Sequence, residues 1–109
     1  ALNTLNGQAF FECAQHLGNR VYDEGLASDG ERIARMFRIC LTREPSEAEA
    51  ARLLRFVADQ RALFAGGAAD SALAFASDAP DAGAEAVDRA TMTALARVIM
   101  NLDEFITRE

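Results

Sequence analysis

The stretch that most constrains the fold is the last one, from Ala90 to Glu109. Its apolar residues recur at the i, i+3, i+4 and i+7 spacing of one helix face, and a second apolar set widens that face until little polar surface is left. These residues are Met92, Leu95, Ala96, Val98, Ile99, Met100, Leu102, Phe105 and Ile106. A helix that is apolar nearly all round is normally buried among other helices. We therefore predict a central, buried helix over about residues 87–107.

Three further helices are predicted ahead of it, at about residues 7–24, 30–42 and 47–65. The second has the most regular helical period, with apolar residues at Ile33, Met36, Phe37, Cys40 and Leu41. The predicted fold is all-α: a compact, four-helix bundle-like single domain. Residues 66–86 are rich in Ala, Asp, Ser and Gly and predict a long acidic loop before the last helix.

The third helix has the clearest start signal. Pro45 breaks the chain, and Ser46 and Glu49 have the spacing of a capping box, in which each side chain bonds the other residue's backbone amide. We expect this helix to bury one apolar face, made of Ala50, Leu53, Leu54, Val57 and Phe64.

Charge excludes several function classes. The net charge is −6, and no cation lies between Arg61 and Arg89. Phosphate-backbone binding needs a basic stripe, so we predict no nucleic-acid partner. All eleven cations are arginine, which excludes lysine Schiff-base chemistry. The acidic segment lacks the EF-hand pattern, so we predict no metal, and no apolar run is long enough to span a bilayer.

No catalytic constellation is present. His16 is the single histidine, and Cys13 lies three residues before it, but neither an orienting third group nor an oxyanion site is evident. Cys13 and Cys40 are expected to be near neighbours if the first two helices form an antiparallel hairpin; a disulfide between them stays open. The row of Arg32, Arg35 and Arg38 is interpreted as a solvated face, with an anion site as the alternative. No cofactor is predicted, and C-x-x-C-H for haem attachment is absent.

Three segments together resemble one known family. They are Leu5-Asn6 continuing through Phe10-Phe11-Glu12, Ala14 and Leu17 to Arg20, then Leu41 to Glu49 (LTREPSEAE), and Ala94 to Ile106 (ALARVIMNLDEFI). They are similar to the patterns LN…E.A..LA.R, LGRxP(T/S)xxE and ALARVLLNx(N/D)EF of the C-terminal third of the planctomycete-specific domain of unknown function. Two positions depart from these patterns: Met92 stands where tryptophan is usual, and Thr42 where glycine is usual.

The resemblance implies a setting rather than an activity. That domain forms the C-terminal end of large extracytoplasmic proteins of the cell envelope, many of which carry a cytochrome-c-type domain near the other end. The motif residues here would be Arg43, Pro45, Ser46, Glu49, Asn101, Glu104 and Phe105. We interpret them as structural: Asn101 and Glu104, at i and i+3, suit a buried polar clamp against an arginine such as Arg43.

Two hypotheses of different classes follow. The first is a non-catalytic helical module, a piece of a larger envelope protein, that packs against the upstream part of its own chain or another protein; a homodimer is an open variant. The second is part of a hydrolase or redox enzyme, linked to cytochrome c, whose active residues lie outside this chain. A pocket that gathers Asn101, Glu104 and an arginine would favour the enzyme. The same residues bonded to each other would favour the module.

Overall fold

The computed structural model describes residues 7–66 and 83–102. These residues form four α-helices: α1 (Gly7–Asp23), α2 (Asp29–Leu41), α3 (Glu47–Ala65) and α4 (Ala84–Met100). No strand is found in this part of the chain. The prediction of an all-α, bundle-like fold is confirmed. Most of the predicted acidic loop over residues 66–86 lies outside the described residues.

The central element is α4, which contacts each of the other three helices. Eleven of its residues are buried, and they occur on every side of the helix. In the described residues, α4 begins at Ala84, three residues before the predicted start, and ends at Met100. Residues 103–107 of the predicted helix lie outside the described part of the chain. Asn101 leaves helical geometry, with φ −95° and ψ 5°, and its amide donates to the Arg97 carbonyl oxygen at 3.1 Å. A backbone hydrogen bond of this kind satisfies a carbonyl at the helix end.

The closest helix pair is α1 and α4, which run antiparallel. Phe11, near the start of α1, lies beside Arg97 at the end of α4, and Asn19 bonds Arg89 near the start of α4. The two backbones nearly touch at Gly18, where a Cβ atom would lie 2.7 Å from the Thr93 amide nitrogen. Only glycine fits such a contact. α1 packs mainly on α4 and makes much less contact with α2, so the expected α1–α2 hairpin is not the main packing.

The apolar residues of α2 are buried as their helical period predicts: Ile33, Met36, Phe37 and Leu41 are buried, and Cys40 is half-buried against them. Ser28 caps the helix by accepting a hydrogen bond from the Glu31 amide at 3.2 Å. At the other end Thr42 adopts the left-handed conformation, with φ 57° and ψ 32°. A β-branched residue is strained there. Thr42 therefore occupies a backbone position that suits the glycine usual in the resembling family.

The expected buried face of α3 is partly wrong. Val57 and Phe64 are buried, whereas Leu54 is 43% exposed. Leu53 packs against the core, and because successive helical residues are about 100° apart, Leu54 falls to the flank. Phe56 is the additional aromatic residue that packs against the buried cluster of α3 and α4.

Candidate functional site

An open cleft lies between the first half of α1, the middle of α3 and the end of α4. Its volume is about 350 Å³, within the size range of ligand pockets. The residues that line it are Phe10, Phe56, Gln60, Ala94, Arg97, Val98 and Asn101. Asn101 is the one motif residue from the sequence analysis that the structure places here.

Helical spacing brings these residues together. Phe56 and Gln60 are four residues apart on α3 and face the same side. On α4, Ala94, Arg97 and Val98 with Asn101 follow the i, i+3, i+4 and i+7 pattern of one face. Ala94, with its small side chain, is one of the lining residues that α4 contributes.

The lining combines aromatic, aliphatic, amide and cationic side chains. Among the seven described lining residues, Arg97 is the one that is ionisable, and its guanidinium carbon lies 5.5 Å from the centroid of the Phe11 ring. A guanidinium stays charged at neutral pH and cannot act as an acid or base there. None of the seven lining residues is a His, Cys, Ser, Asp or Glu. The cleft, as these residues form it, offers two aromatic walls, two amides and one cation.

The other motif residues form a separate group at the α2–α3 junction. Arg43 holds Glu49 through two hydrogen bonds, of 2.9 and 3.0 Å. The capping box is present: Ser46 Oγ accepts from the Glu49 amide at 3.1 Å, and the Glu49 carboxylate accepts from the Ser46 amide at 2.8 Å. The bonds from Arg43, and then the one from the Ser46 amide, lower the pKa of Glu49 from 4.5 to about 2.

This junction is built for local order. Pro45 directly precedes the cap residue and disfavours helical geometry at Glu44. The guanidinium of Arg43 also lies over the ring of Phe37, 5.2 Å from its centroid. Arg43, Ser46 and Glu49 are therefore bonded to each other and to backbone. Glu104, which the sequence predicts in a clamp with Asn101, and Phe105 lie outside the described residues, and the clamp stays a prediction.

A buried arginine joins α1 to the start of α4. Arg89 is 8% exposed, and its guanidinium donates to Asn19 at 2.7 Å, to Asp23 at 2.6 Å and to Glu85 at 2.9 Å. Its guanidinium carbon lies 4.6 Å from the centroid of the Tyr22 ring. Burial alone would lower the pKa of Arg89, but the bonds to the two carboxylates raise it instead.

A second ion-pair group joins α2, α3 and α4 nearby. Arg61 donates twice to Asp29, at 2.8 and 3.1 Å, and once to Asp88, at 3.0 Å. Arg32 donates to the same Asp29 at 2.9 Å. The hydrogen bonds from Arg61 are the main cause of the lowered pKa of Asp29. We call this group and the Arg89 group the ionic end of the bundle, and the opposite end, with the cleft, the cleft end.

The arginine row of α2 is a paired face. Besides Arg32 with Asp29, Arg35 pairs with Glu24 at 3.0 Å and Arg38 with Glu44 at 2.8 Å. Each of these arginines therefore has a carboxylate beside it. This arrangement supports the solvated-face interpretation over an anion site.

The two cysteines and the histidine lie on α1 and α2. Cys13 and Cys40 are both free thiols, so no disulfide joins them; their proximity stays a prediction. Cys40 is half-buried, and burial raises the pKa of its thiol. Cys13 and His16 are both exposed on α1. Among residues 7–66 and 83–102, no group of three or more His, Cys, Asp or Glu side chains is placed to hold a metal ion.

Sequence reasoning missed Arg89, Phe56 and Arg97 as parts of these groups. A signal for Arg89 was available: it lies among buried positions of a helix that is apolar nearly all round, which requires partners for its charge. No signal placed Phe56 beside Arg97, because they lie on different helices and far apart in sequence.

The comparisons with known proteins identify a family. Residues 1–57, which include α1, α2 and the first half of α3, match the family model described as "PSD1: Protein of unknown function (DUF1553)". No curated protein and no solved structure matches the chain. No helix of the described part is both long and apolar enough to cross a membrane. Because the match spans more than half of the 109 residues, the chain belongs to the DUF1553 family of proteins of unknown function.

Proposed function

We propose that the domain is a non-catalytic helical module of a larger cell-envelope protein, and that it packs against another polypeptide segment through the cleft end. The observation that carries this proposal is the composition of the cleft. It is an open, partly aromatic concavity whose seven lining residues include no nucleophile and no group able to transfer a proton at neutral pH. Such a lining can bind a partner, but it supplies neither a nucleophile nor a general acid or base for a reaction.

The surface beside the cleft supports docking of a partner. Leu63 is 63% exposed, and it follows Phe56 by seven residues, so both lie on one side of α3. Two helical turns, about 10 Å, separate Phe56 from Leu63, and the polar Gln60 lies between them on this side of α3. The support for a contact here is therefore an exposed leucine next to a partly aromatic cleft. Leu54, the other exposed leucine of α3, lies on the opposite flank of the helix and serves as an internal control.

The remaining charged groups support the same function. Arg43 and Glu49 are bonded to each other and to backbone, and Arg61 and Arg89 are bonded across helices. These residues hold the bundle together, which suits a module better than a catalytic centre. The rival function, part of a hydrolase or redox enzyme, places its active residues elsewhere and would use this domain as a support.

The proposed setting is extracytoplasmic, beside a cytochrome-c-type domain in a longer planctomycete protein. Its support is the resemblance of three segments to the planctomycete-specific domain. The partner is then the upstream part of the same chain or another envelope protein. A second copy of this chain is the alternative occupant.

Hydroxyl-radical footprinting tests the docking. The 109-residue chain alone and the protein isolated from its native cells are labelled side by side, and oxidation of each leucine is measured by mass spectrometry. We expect Leu63 to be several-fold less oxidised in the native protein, with Leu54 oxidised equally in both. Equal oxidation of Leu63 in both samples would overturn the proposal.

Light scattering across a dilution series of the 109-residue chain distinguishes a second copy of this chain from a different polypeptide segment as the partner. A monomer at all concentrations, together with a protected Leu63 in the native protein, supports packing against a different segment. A dimer that Leu63→Glu dissociates and Leu54→Glu does not would place a second copy on this face. A dimer that both variants leave intact would contradict the cleft end as the contact surface.

A further inference from the structure

The solvent-facing side of α3 combines charged residues with small apolar ones. Exposed positions recur there at the i, i+3, i+7 and i+10 spacing of a heptad repeat, which forms one stripe along a helix. Arg52 and Asp59 flank this stripe on one side, and Leu54 flanks it on the other. We call all these residues together the outer face of α3; the stripe itself consists of Ala48, Ala51, Arg55, Ala58, Ala62 and Ala65.

The charged residues of the outer face lack partners within the described part of the chain. Arg61, on the inner side of the same helix, is bonded to two aspartates, one of α2 and one of α4. In contrast, Arg52, Arg55 and Asp59 are exposed, and none of them forms an ion pair or a side-chain hydrogen bond with another described residue. Two cations and one anion are thus available on one helix face for a partner that offers the opposite charges.

We propose that the outer face of α3 binds the same face of a second copy of this chain, with the two α3 helices antiparallel. The contact is two-fold symmetric, so each copy contributes the same residues. This inference goes beyond the proposed function, because the outer face includes neither Leu63 nor any residue of the cleft lining. The outer face and the cleft end are therefore separate surfaces with separate tests.

Antiparallel pairing makes the charges of the outer face complementary. A two-fold axis level with the bond between Phe56 and Val57 passes through the middle of the stripe. Asp59 of one copy then lies within about 3 Å, along the helix axis, of the level of Arg52 in the other copy, and within about 1.5 Å of the level of Arg55. Residues that flank the stripe on the same side face each other in such a pair. The symmetry forms this ionic contact twice.

A parallel pair in register would be unfavourable. Each charge would then lie beside its own copy, Arg52 beside Arg52 and Asp59 beside Asp59, and like charges repel. The spacing of the charges thus favours the antiparallel direction. It also favours a second copy over an unrelated helix, because one sequence supplies both halves of the pairing.

The alanines of the stripe permit a close approach of the two helices. An alanine side chain is one carbon long, so the helix axes can lie about 8 Å apart, the lower limit usual for packed helices. The stripe from Ala48 to Ala65 is about 26 Å long and lies within one uninterrupted helix. Leu54, which is 43% exposed in the single chain, would be covered at the edge of the contact. A small apolar area with exposed ion pairs predicts a weak, salt-sensitive dimer.

Reciprocal charge variants test the inference by sedimentation equilibrium of the 109-residue chain. Asp59→Arg makes all the charges of the outer face positive, and the double variant Arg52→Glu with Arg55→Glu makes them all negative. We expect the wild type to dimerise with a dissociation constant of about 100 μM, and each variant alone to dimerise at least about tenfold more weakly. An equimolar mixture of the two variants should form a heterodimer with a dissociation constant within about threefold of the wild-type value.

Matched variants exclude a general effect of charge. Arg20→Glu changes an exposed arginine of α1 outside the outer face and should leave dimerisation unchanged. Ala62→Gln keeps every charge but places a longer side chain in the stripe, so it should weaken the dimer about tenfold. Circular dichroism checks that the helices of each variant are retained, as expected for substitutions of exposed residues.

A wild-type chain that stays monomeric up to about 1 mM would overturn the inference. A dimer that both charge variants leave intact, or a mixture of the variants that does not associate, would also overturn it. These results are distinguishable from failure of the proposed function, which depends on the protection of Leu63 in the native protein. A protected Leu63 with a monomeric chain removes only the outer-face dimer. A heterodimer of the charge variants with an unprotected Leu63 supports the outer-face contact and overturns only packing at the cleft end.

Discussion

Arg89 and Arg97 lie eight residues apart on α4, and each stacks on an aromatic ring of α1, yet they stand in opposite environments. Arg89 is buried and donates to Asn19, Asp23 and Glu85. Arg97 is exposed and lines an open cleft. At the ionic end the fold uses the cation to hold helices together, and at the cleft end it presents the cation at the surface. Residue type and helix position therefore do not determine how deeply a side chain is buried; the packing of the other helices around it does.

The largest expected effect is that of Arg89→Gln. The change leaves the buried Asn19 oxygen without its donor and removes two charge-assisted bonds, so we expect a loss of about 3 kcal/mol of unfolding free energy. Urea unfolding followed by circular dichroism measures it. The matched change Arg97→Gln should cost about 1 kcal/mol or less, because it removes the contact with the Phe11 ring at an exposed position. Equal losses for the two variants would contradict the contrast between the ends.

Gly18→Ala tests the contact that connects the two ends. The added Cβ atom would lie 2.7 Å from the Thr93 amide nitrogen, so the α1 and α4 backbones must separate. The cost of such overpacking exceeds the gain in helix propensity, and we expect a net loss of about 2 kcal/mol. Gly30→Ala is the control, because the nearest atom to its Cβ would be Ser28 Oγ at 3.8 Å. An unchanged melting temperature for Gly18→Ala would mean that the helices pack less closely than described.

The same contrast explains what the sequence could predict. Local signals were sufficient for the period of α2, the capping box at Ser46 and the burial of α4, because each depends on residues within one or two helical turns. Two of the three partners of Arg89, Asp23 and Asn19, lie 66 and 70 residues away, and no local pattern specifies them; only Glu85, four residues before it, is local. Leu54 was misassigned because Leu53 and Leu54 are adjacent, and only the packing of α3 on α4 decides which of them faces the core.

Thr42→Gly should stabilise the junction at the cleft end. Thr42 has φ 57°, a left-handed conformation that costs a residue with a Cβ atom about 1–2 kcal/mol. Glycine removes that cost but loses more entropy on folding, so we expect a gain of about 1 kcal/mol. Thr42→Ala retains a Cβ atom and should bring no such gain. If Thr42→Gly and Thr42→Ala raise the midpoint of urea unfolding equally, relief of the left-handed strain is not the cause of the stabilisation.

Acid should weaken the α2–α3 junction through Glu49. Its pKa is about 2 in the folded chain and 4.5 as the unperturbed value, so the stabilisation is complete above pH 4.5 and is lost as the pH falls towards 2. The pair is partly exposed, and its share should not exceed about 1 kcal/mol. Unfolding free energies at pH 7 and pH 3 measure it: Glu49→Gln should lose less stability than the wild type over this interval. A variant with the same pH dependence as the wild type would exclude Glu49 as a contributor.

The smallest expected effect is that of Leu63→Gln, because a leucine that contacts a partner should contribute little to the stability of the isolated chain. Leu63 is 63% exposed, so its side chain buries little surface in the isolated chain, and the variant should keep its unfolding free energy within about 0.5 kcal/mol. Val57→Ala, on the same helix but fully buried, should cost at least about 1 kcal/mol. Thermal unfolding of both variants provides the comparison. A large loss of unfolding free energy for Leu63→Gln would mean that this leucine packs in the core. Leu63 would then stabilise the fold, as the residues of the ionic end do, and would not be free for a partner contact.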